Sequence, residues 1–375
     1  MTRFWLGGYG SGMDGNADGI GLLAGDDGAA TALSYRGAVT RTSSPSWLAQ
    51  HPTLDVVYAA LEGDAAVQAF VRTGESSLTP LGEPVEVGKS VCHVAVAPNG
   101  SSLIASCYGD GRVVRVRLDA AGRPAQDAAN KAAELRAALL GWVPEPVEGP
   151  APDTGAPAGT GAAASDPHAS TTPSGDRVSH AHAAAFLPDG RIATTDLGFD
   201  LVRIWRPTAS GLSLDHDVVL PRGTGPRHMV VHPSGHLHVV TEYSCEVFTL
   251  AAGPDGTWSV VSSTLSSPIA QVGFDFAAEL ARSRDGNFLY TALRGSNTIA
   301  ALRVRGGGES LESIALADSG VDWPRHHLIH EGKMLVAGQR SDTITLLDLD
   351  ERTGAPLGIR HEAQVPTPTH FLPVR

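Results

Sequence analysis

Cysteine is scarce in this chain. Cys92, Cys107 and Cys245 are the only three among 375 residues. An odd, small number argues against a disulfide framework and fits a reducing cytoplasm. Cys92 and Cys107 flank a hairpin turn, and two buried thiols are expected there rather than a bridge. Basic runs are absent and the formal net charge is -12. Phosphate neutralisation needs a basic face, so no nucleic-acid partner is expected. No apolar run is long enough to span a bilayer, so no membrane partner is expected. The opening M-T-R-F-W-L-G-G is too short and too glycine-interrupted for a secretory leader. No glycine-rich phosphate loop opens a helix, because G-G-Y-G-S-G at 7–12 is followed by none. There is no G-x-S-x-G nucleophile elbow. These absences leave a globular, cytoplasmic protein of ordinary hydropathy, 42% hydrophobic by residue, with length enough for a large core.

What the chain does have is a repeat. Its unit is a short apolar strand, a turn rich in Pro, Asp, Asn and Gly, a second apolar strand, a polar corner and a third strand. Six copies begin at S-W-L-A-Q-H-P (46–52), C-H-V-A-V-A-P-N-G (92–100), H-A-A-A-F-L-P-D-G (182–190), H-M-V-V-H-P-S-G (228–235), E-L-A-R-S-R-D-G (279–286) and R-H-H-L-I-H-E-G (325–332). A seventh is split between the termini, with P-T-H-F-L-P-V at 368–374 as first strand and F-W-L-G-G-Y-G at 4–10 as second. Pro52 lies 46 residues before Pro98, and Pro188 lies 45 before Pro233. The interval from Pro98 to Pro188 is double that and holds an insertion at about 124–178. Residues 125–143 have helix-forming composition, and 144–176 are a Pro/Gly/Ala/Ser/Thr run read as a flexible loop. Units of this size stack around an axis. The expected fold is all-β: one seven-bladed β-propeller domain over 1–375, with N- and C-terminal strands completing one blade and so removing a free sheet edge.

Innermost strands converge on a central channel, so one repeat position makes a ring. The start of the first strand reads Trp47, His93, Ala183 (with His182 one place earlier), His228, Glu279, His326 and His370. The start of the corner reads Glu62, Tyr108, Leu197, Glu242, Arg294 and Gln339. In an antiparallel pair the start of one strand lies beside the end of the next. Both columns therefore fall at one end of the channel, and Arg227 falls opposite or near Glu242. Ionisable groups of both signs converging in a cleft point to a site. A satisfied structural network, or a plain cross-strand ion pair, explains the same residues without function. His180 and His182 lie on one face of a strand at a metal-ligand spacing, but no third ligand accompanies them, so no metal is expected.

These residues carry a resemblance. P-S-W-L-A-Q-H-P at 45–52, C-H-V-A-V-A-P-N-G at 92–100, H-A-H at 180–182, D-L-G at 196–198, G-P-R-H at 225–228, Glu242, A-E-L at 278–280, R-G at 294–295 and P-R-H at 324–326 run in order over nearly the whole chain. The set resembles the seven-bladed propeller lactonases of the 6-phosphogluconolactonase type, related to the carboxy-cis,cis-muconate cyclases. The resemblance implies a cofactor-free enzyme of sugar-acid metabolism, monomeric or weakly self-associating, opening an anionic or sugar lactone at the channel mouth. It places the catalytic group on His182, Arg227, Glu242 and Arg294, with either His182 or Glu242 as general base. His93, His228, Glu62, Tyr108, Gln339 and His326 are expected to bind substrate. A lactonising cyclase and a non-catalytic interaction scaffold are the rival readings.

Overall fold

The computed structural model describes residues 2–25, 32–125 and 177–375. They form seven antiparallel sheets, each built outward in sequence order from an innermost strand. Blade 1 starts at Pro45–Gln50, blade 2 at Val91–Val96, blade 3 at Ala181–Phe186 and blade 4 at Pro226–Val231. Blade 5 starts at Phe276–Arg282 and blade 6 at Pro324–His330. Blade 7 is the split one: Pro368–Pro373 pairs with Arg3–Gly8, which leads to Gly19–Gly25 and Leu33–Arg41. The helix expected at 125–143 and the loop at 144–176 lie outside the described residues, apart from Ala125. Among the described residues no helix is long and apolar enough to cross a membrane.

The core lies between blades, because each sheet has two apolar faces and only its neighbours can cover them. Seven clusters fill the seven interfaces. The interface of blades 2 and 3 is the thinnest among the described residues, with Ile104, Ala184 and Ile192 fully buried. There Arg115 reaches across to donate to the Thr208 carbonyl at 2.7 Å. Cys92 and Cys107 are both buried and unbridged. Cys92 Sγ faces blade 3, 3.5 Å from the His182 carbonyl, whereas Cys107 packs into the cluster shared with blade 1. They lie on opposite faces of blade 2.

Closure runs through blade 7. Thr367 N donates to Asp342 Oδ1 at 2.9 Å, Thr369 Oγ1 donates to the Ser46 carbonyl at 2.9 Å, and Phe371 is 1% exposed. The last strand is thus interior, unlike most chain ends. Phe371→Ala is expected to cost about 3–5 kcal/mol, as for an interior phenylalanine, measured by urea unfolding. A loss below about 1 kcal/mol, within the range of surface substitutions, would show that the ring is open in solution.

All seven innermost strands carry the same irregularity. Each slips register by one residue where it meets its second strand. Two residues of the inner strand then oppose one of its neighbour, which is a bulge, and a bulge re-aims side chains. The seven bulged pairs are Ser46–Trp47, Cys92–His93, His182–Ala183, Arg227–His228, Ala278–Glu279, Arg325–His326 and Thr369–His370. Each blade therefore offers two successive side chains to the axis.

Candidate active site

The second members of those pairs close the channel. Trp47 reaches over and meets rings from four other blades: His93 at 4.4 Å, His370 at 4.1 Å, His228 at 5.4 Å and His326 at 5.5 Å. Glu279 Oε1 lies 3.6 Å from His228 Nδ1 and 3.8 Å from His326 Nε2. The four imidazoles and Glu279 are between 4% and 7% exposed. Burial drives every one of them toward its neutral form. His93 falls to about 3. His228, His326 and His370 fall well below the ordinary histidine value, and Glu279 rises well above the ordinary carboxyl value. The result is a neutral, aromatic plug.

The first members of the pairs form the layer above. His182, Arg227 and Arg325 are its chemistry-bearing residues, on blades 3, 4 and 6. His182 belongs to this layer and not to the histidine ring, which is why it stood one place early in the repeat. Blade 3 supplies Ala183 to the ring instead. The corner residues stand beside this layer, and Glu242 N donates to the Gly225 carbonyl at 2.7 Å, as Glu62, Tyr108, Leu197 and Gln339 do to the equivalent carbonyls of their own blades.

Three of the four residues expected to carry catalysis meet at one oxygen. Glu242 Oε2 lies 2.9 Å from Arg227 Nε and 2.9 Å from Arg294 Nη2. Arg227 is 4% exposed, Glu242 5% and Arg294 1%. The Arg227 Nε contact is side-on, and that N–H makes no in-line hydrogen bond. Arg294 is held further by the Phe276 carbonyl at 3.2 Å and by the Trp323 ring at 5.2 Å. Burial and the neighbouring Arg294 pull Arg227 down to about 10, which leaves it cationic at neutral pH. The fourth residue, His182, comes from the neighbouring blade. Thr195 fixes its strand against that of Arg227, accepting from Ala183 N at 2.9 Å and donating to the Arg227 carbonyl at 2.8 Å. His182 is 7% exposed and its Nδ1 has no hydrogen-bond partner. Burial, then Arg227 and Arg325, hold its imidazole well below the ordinary value, hence neutral.

The expected binding residues divide. His93, His228 and His326 sit in the plug, packed on Trp47 beneath the layer that carries Arg227. Glu62, Tyr108 and Gln339 stand on the rim. Tyr108 stacks on His180 at 4.3 Å, and Gln339 Oε1 accepts from Arg325 Nη1 at 3.1 Å. Glu62 Oε2 accepts from the Tyr9 hydroxyl at 3.1 Å. Arg325 and Tyr9 are site residues that the repeat columns did not single out. The signal for Arg325 was present, since P-R-H at 324–326 repeats the P-R-H at 226–228. Tyr9 holds in blade 7 the corner position that Glu62 holds in blade 1. Among the described residues no group of His, Cys, Asp and Glu is placed to hold a metal ion.

Comparison with known proteins agrees with this architecture. The family model described as "Lactonase, 7-bladed beta-propeller" matches residues 3–373. The 6-phosphogluconolactonase of Bacillus subtilis (strain 168) is 24% identical over 90% of this chain and 89% of its own length. An uncharacterised protein of Lactococcus lactis is 26% identical over 93% of each chain. The structure of Pseudomonas aeruginosa periplasmic gluconolactonase superposes with a TM-score of 0.78 at 20% identity, covering 100% of this chain and 99% of that one.

Proposed function

The chain belongs to the seven-bladed β-propeller lactonase family, and from that premise we propose that it hydrolyses a sugar-acid lactone, phosphorylated in the manner of 6-phosphogluconolactone, above the histidine plug. One observation carries the reading. Two adjacent bulges hold two buried polar atoms without an in-line hydrogen bond, His182 Nδ1 and Arg227 Nε. The unpartnered Nδ1 of a neutral imidazole thus stands beside two buried guanidiniums that Glu242 holds together, a base and cationic donors in one place, as attack of water on a carbonyl requires.

The chemistry then follows. His182, neutral, takes a proton from water as the water oxygen attacks the lactone carbonyl. Negative charge develops on the carbonyl oxygen, and Arg227, with Arg294 beside it, stabilises it as a preorganised donor pair. The intermediate collapses by breaking the ring C–O bond, and the imidazolium returns its proton to the departing oxygen. Glu242 is the weaker candidate for base, because its Oε2 is already committed to two guanidiniums. Its role is to hold those two like charges together in a buried site. A base as weak as His182 suits a strained lactone better than an open-chain ester.

Purified protein tested on 6-phosphoglucono-δ-lactone, with the spontaneous rate subtracted, decides the matter. No enzymatic rate on that lactone or on glucono-δ-lactone sinks the proposal. The pH profile adds a second check. A base works when unprotonated, and His182 loses its proton at a pH well below the ordinary 6.5. The corrected kcat/KM is therefore expected to stay flat from about pH 6 to 8. An acid limb centred near 6.5 would exclude His182 as the base.

A further inference from the structure

We infer that the part of the mouth built by blades 6, 7 and 1 anchors the acidic group at the far end of the substrate, with Arg325 as the residue that holds it. The inference rests on the lactonase reading and names the part of the substrate that reading leaves open. Four observations carry it. Arg325 occupies the same bulged slot in blade 6 that Arg227 occupies in blade 4, so its side chain joins the same layer two blades further round the axis. It is partly exposed, whereas Arg227 and Arg294 are buried.

Its guanidinium is also held in a defined plane. It lies 4.9 Å over the Tyr9 ring, and Nη1 donates to Gln339 Oε1 at 3.1 Å. Tyr9, 1% exposed, is itself fixed by donating its hydroxyl to Glu62. A stacked, planar guanidinium loses little freedom on gripping an oxyanion. Finally, different partners separate two tasks. Arg227 and Arg294 converge on Glu242 beside His182, whereas Arg325 is held by Tyr9 of blade 7 and Gln339 of its own blade. A six-carbon sugar acid with its reacting carbonyl at one end and an acidic group at the other matches that division.

The arrangement couples anchoring to chemistry. Arg325 is among the charges that keep His182 proton-poor. An anion on Arg325 offsets that charge and makes His182 a better base only when substrate is seated.

A phosphoryl group and a carboxylate share the required chemistry, so the test has three arms. Steady-state hydrolysis is compared for 6-phosphoglucono-δ-lactone, for a glucaric acid lactone with a carboxylate tail, and for neutral glucono-δ-lactone. For Arg325→Gln, the KM of the preferred anionic lactone relative to that of the neutral one is expected to rise about 10- to 100-fold, the worth of a charge-assisted contact. Its kcat is expected to stay within about threefold, as for lost uniform binding. Arg325→Lys, which keeps the charge and loses the planar fork, is expected to recover part of the ratio. An unchanged ratio, or equal losses on all three lactones, overturns the inference while leaving the hydrolase reading intact. If no lactone is turned over, calorimetric binding of 6-phosphogluconate and of glucarate decides. Weakening of either by Arg325→Gln of about tenfold or more supports the anchor without the activity. No binding by the wild type, or equal binding by both proteins, overturns it.

Discussion

Arg227→Ala is expected to lower kcat on the accepted lactone by about 10²- to 10³-fold, the usual cost of losing one oxyanion donor, while the protein remains folded. Arg227 Nε meets Glu242 Oε2 at 2.9 Å only side-on, without an in-line hydrogen bond. Its charge is not the sole partner of Glu242 either, because Arg294 Nη2 lies at the same 2.9 Å. Deleting Arg227 therefore leaves a buried carboxylate still paired. Glu242→Gln is the contrasting case. It leaves two buried guanidiniums without their shared anion, and breaking a buried pair in this way costs about 3–5 kcal/mol. If the cluster were only a structural ion pair, activity in both variants would follow the folded fraction. The catalytic reading predicts that Arg227→Ala loses activity out of proportion to stability, and that Glu242→Gln loses both. Circular dichroism beside initial rates separates the two.

Much of this site could be read in the chain before its structure. The Pro-x-Gly turns mark the blades, and both columns that converge on the channel are visible at fixed offsets within each repeat. The pairing of Arg227 with Glu242 follows from counting back along one hairpin. What the repeat did not reveal has identifiable causes. The outermost strands, such as Trp258–Leu265 and Pro356–Gln364, bury little beyond their first residues and carry no apolar alternation strong enough to stand out. The bulge is invisible to a period-two pattern, because it inserts a residue without changing composition. With the bulge unseen, one column merged two layers. His182 stood one place out of step with the ring histidines for no visible reason, and Arg325 was not singled out one residue before His326. The same merging cast His93, His228 and His326 as substrate ligands, where the structure packs them around Trp47. Arg294 as a second partner of Glu242 is likewise a tertiary fact, since it depends on how blade 5 packs against blade 4.

The plug and the His182 above it make the fold acid-sensitive, and this is the second large effect expected. His93, His182, His228, His326 and His370 are all held neutral by burial, with values moved below the ordinary 6.5 and His93 down to about 3. In the unfolded chain each takes up a proton near 6.5. Between 6.5 and the lowered folded value, the unfolded state therefore binds more protons, and stability falls as pH falls. Each such group contributes about 1.4 kcal/mol per pH unit across that window. Glu279 works in the opposite sense. Its folded value is raised, so between about 4.5 and that value the folded state binds the extra proton, and acid favours folding. With His238 and His327, which burial lowers to about 3 and about 4 away from the channel, seven groups stand against one and leave a loss of up to about 8 kcal/mol per unit below pH 6.5, enough to exhaust an ordinary domain within two units. Urea unfolding at pH 7.5 and 5.5 measures the slope. His326→Phe, which keeps an aromatic ring against Trp47 and His370 but cannot be protonated, is expected to flatten it by about one group's share. A midpoint that does not move between those pH values would mean that the histidines reach solvent, and that the channel is open where Trp47 is placed to close it.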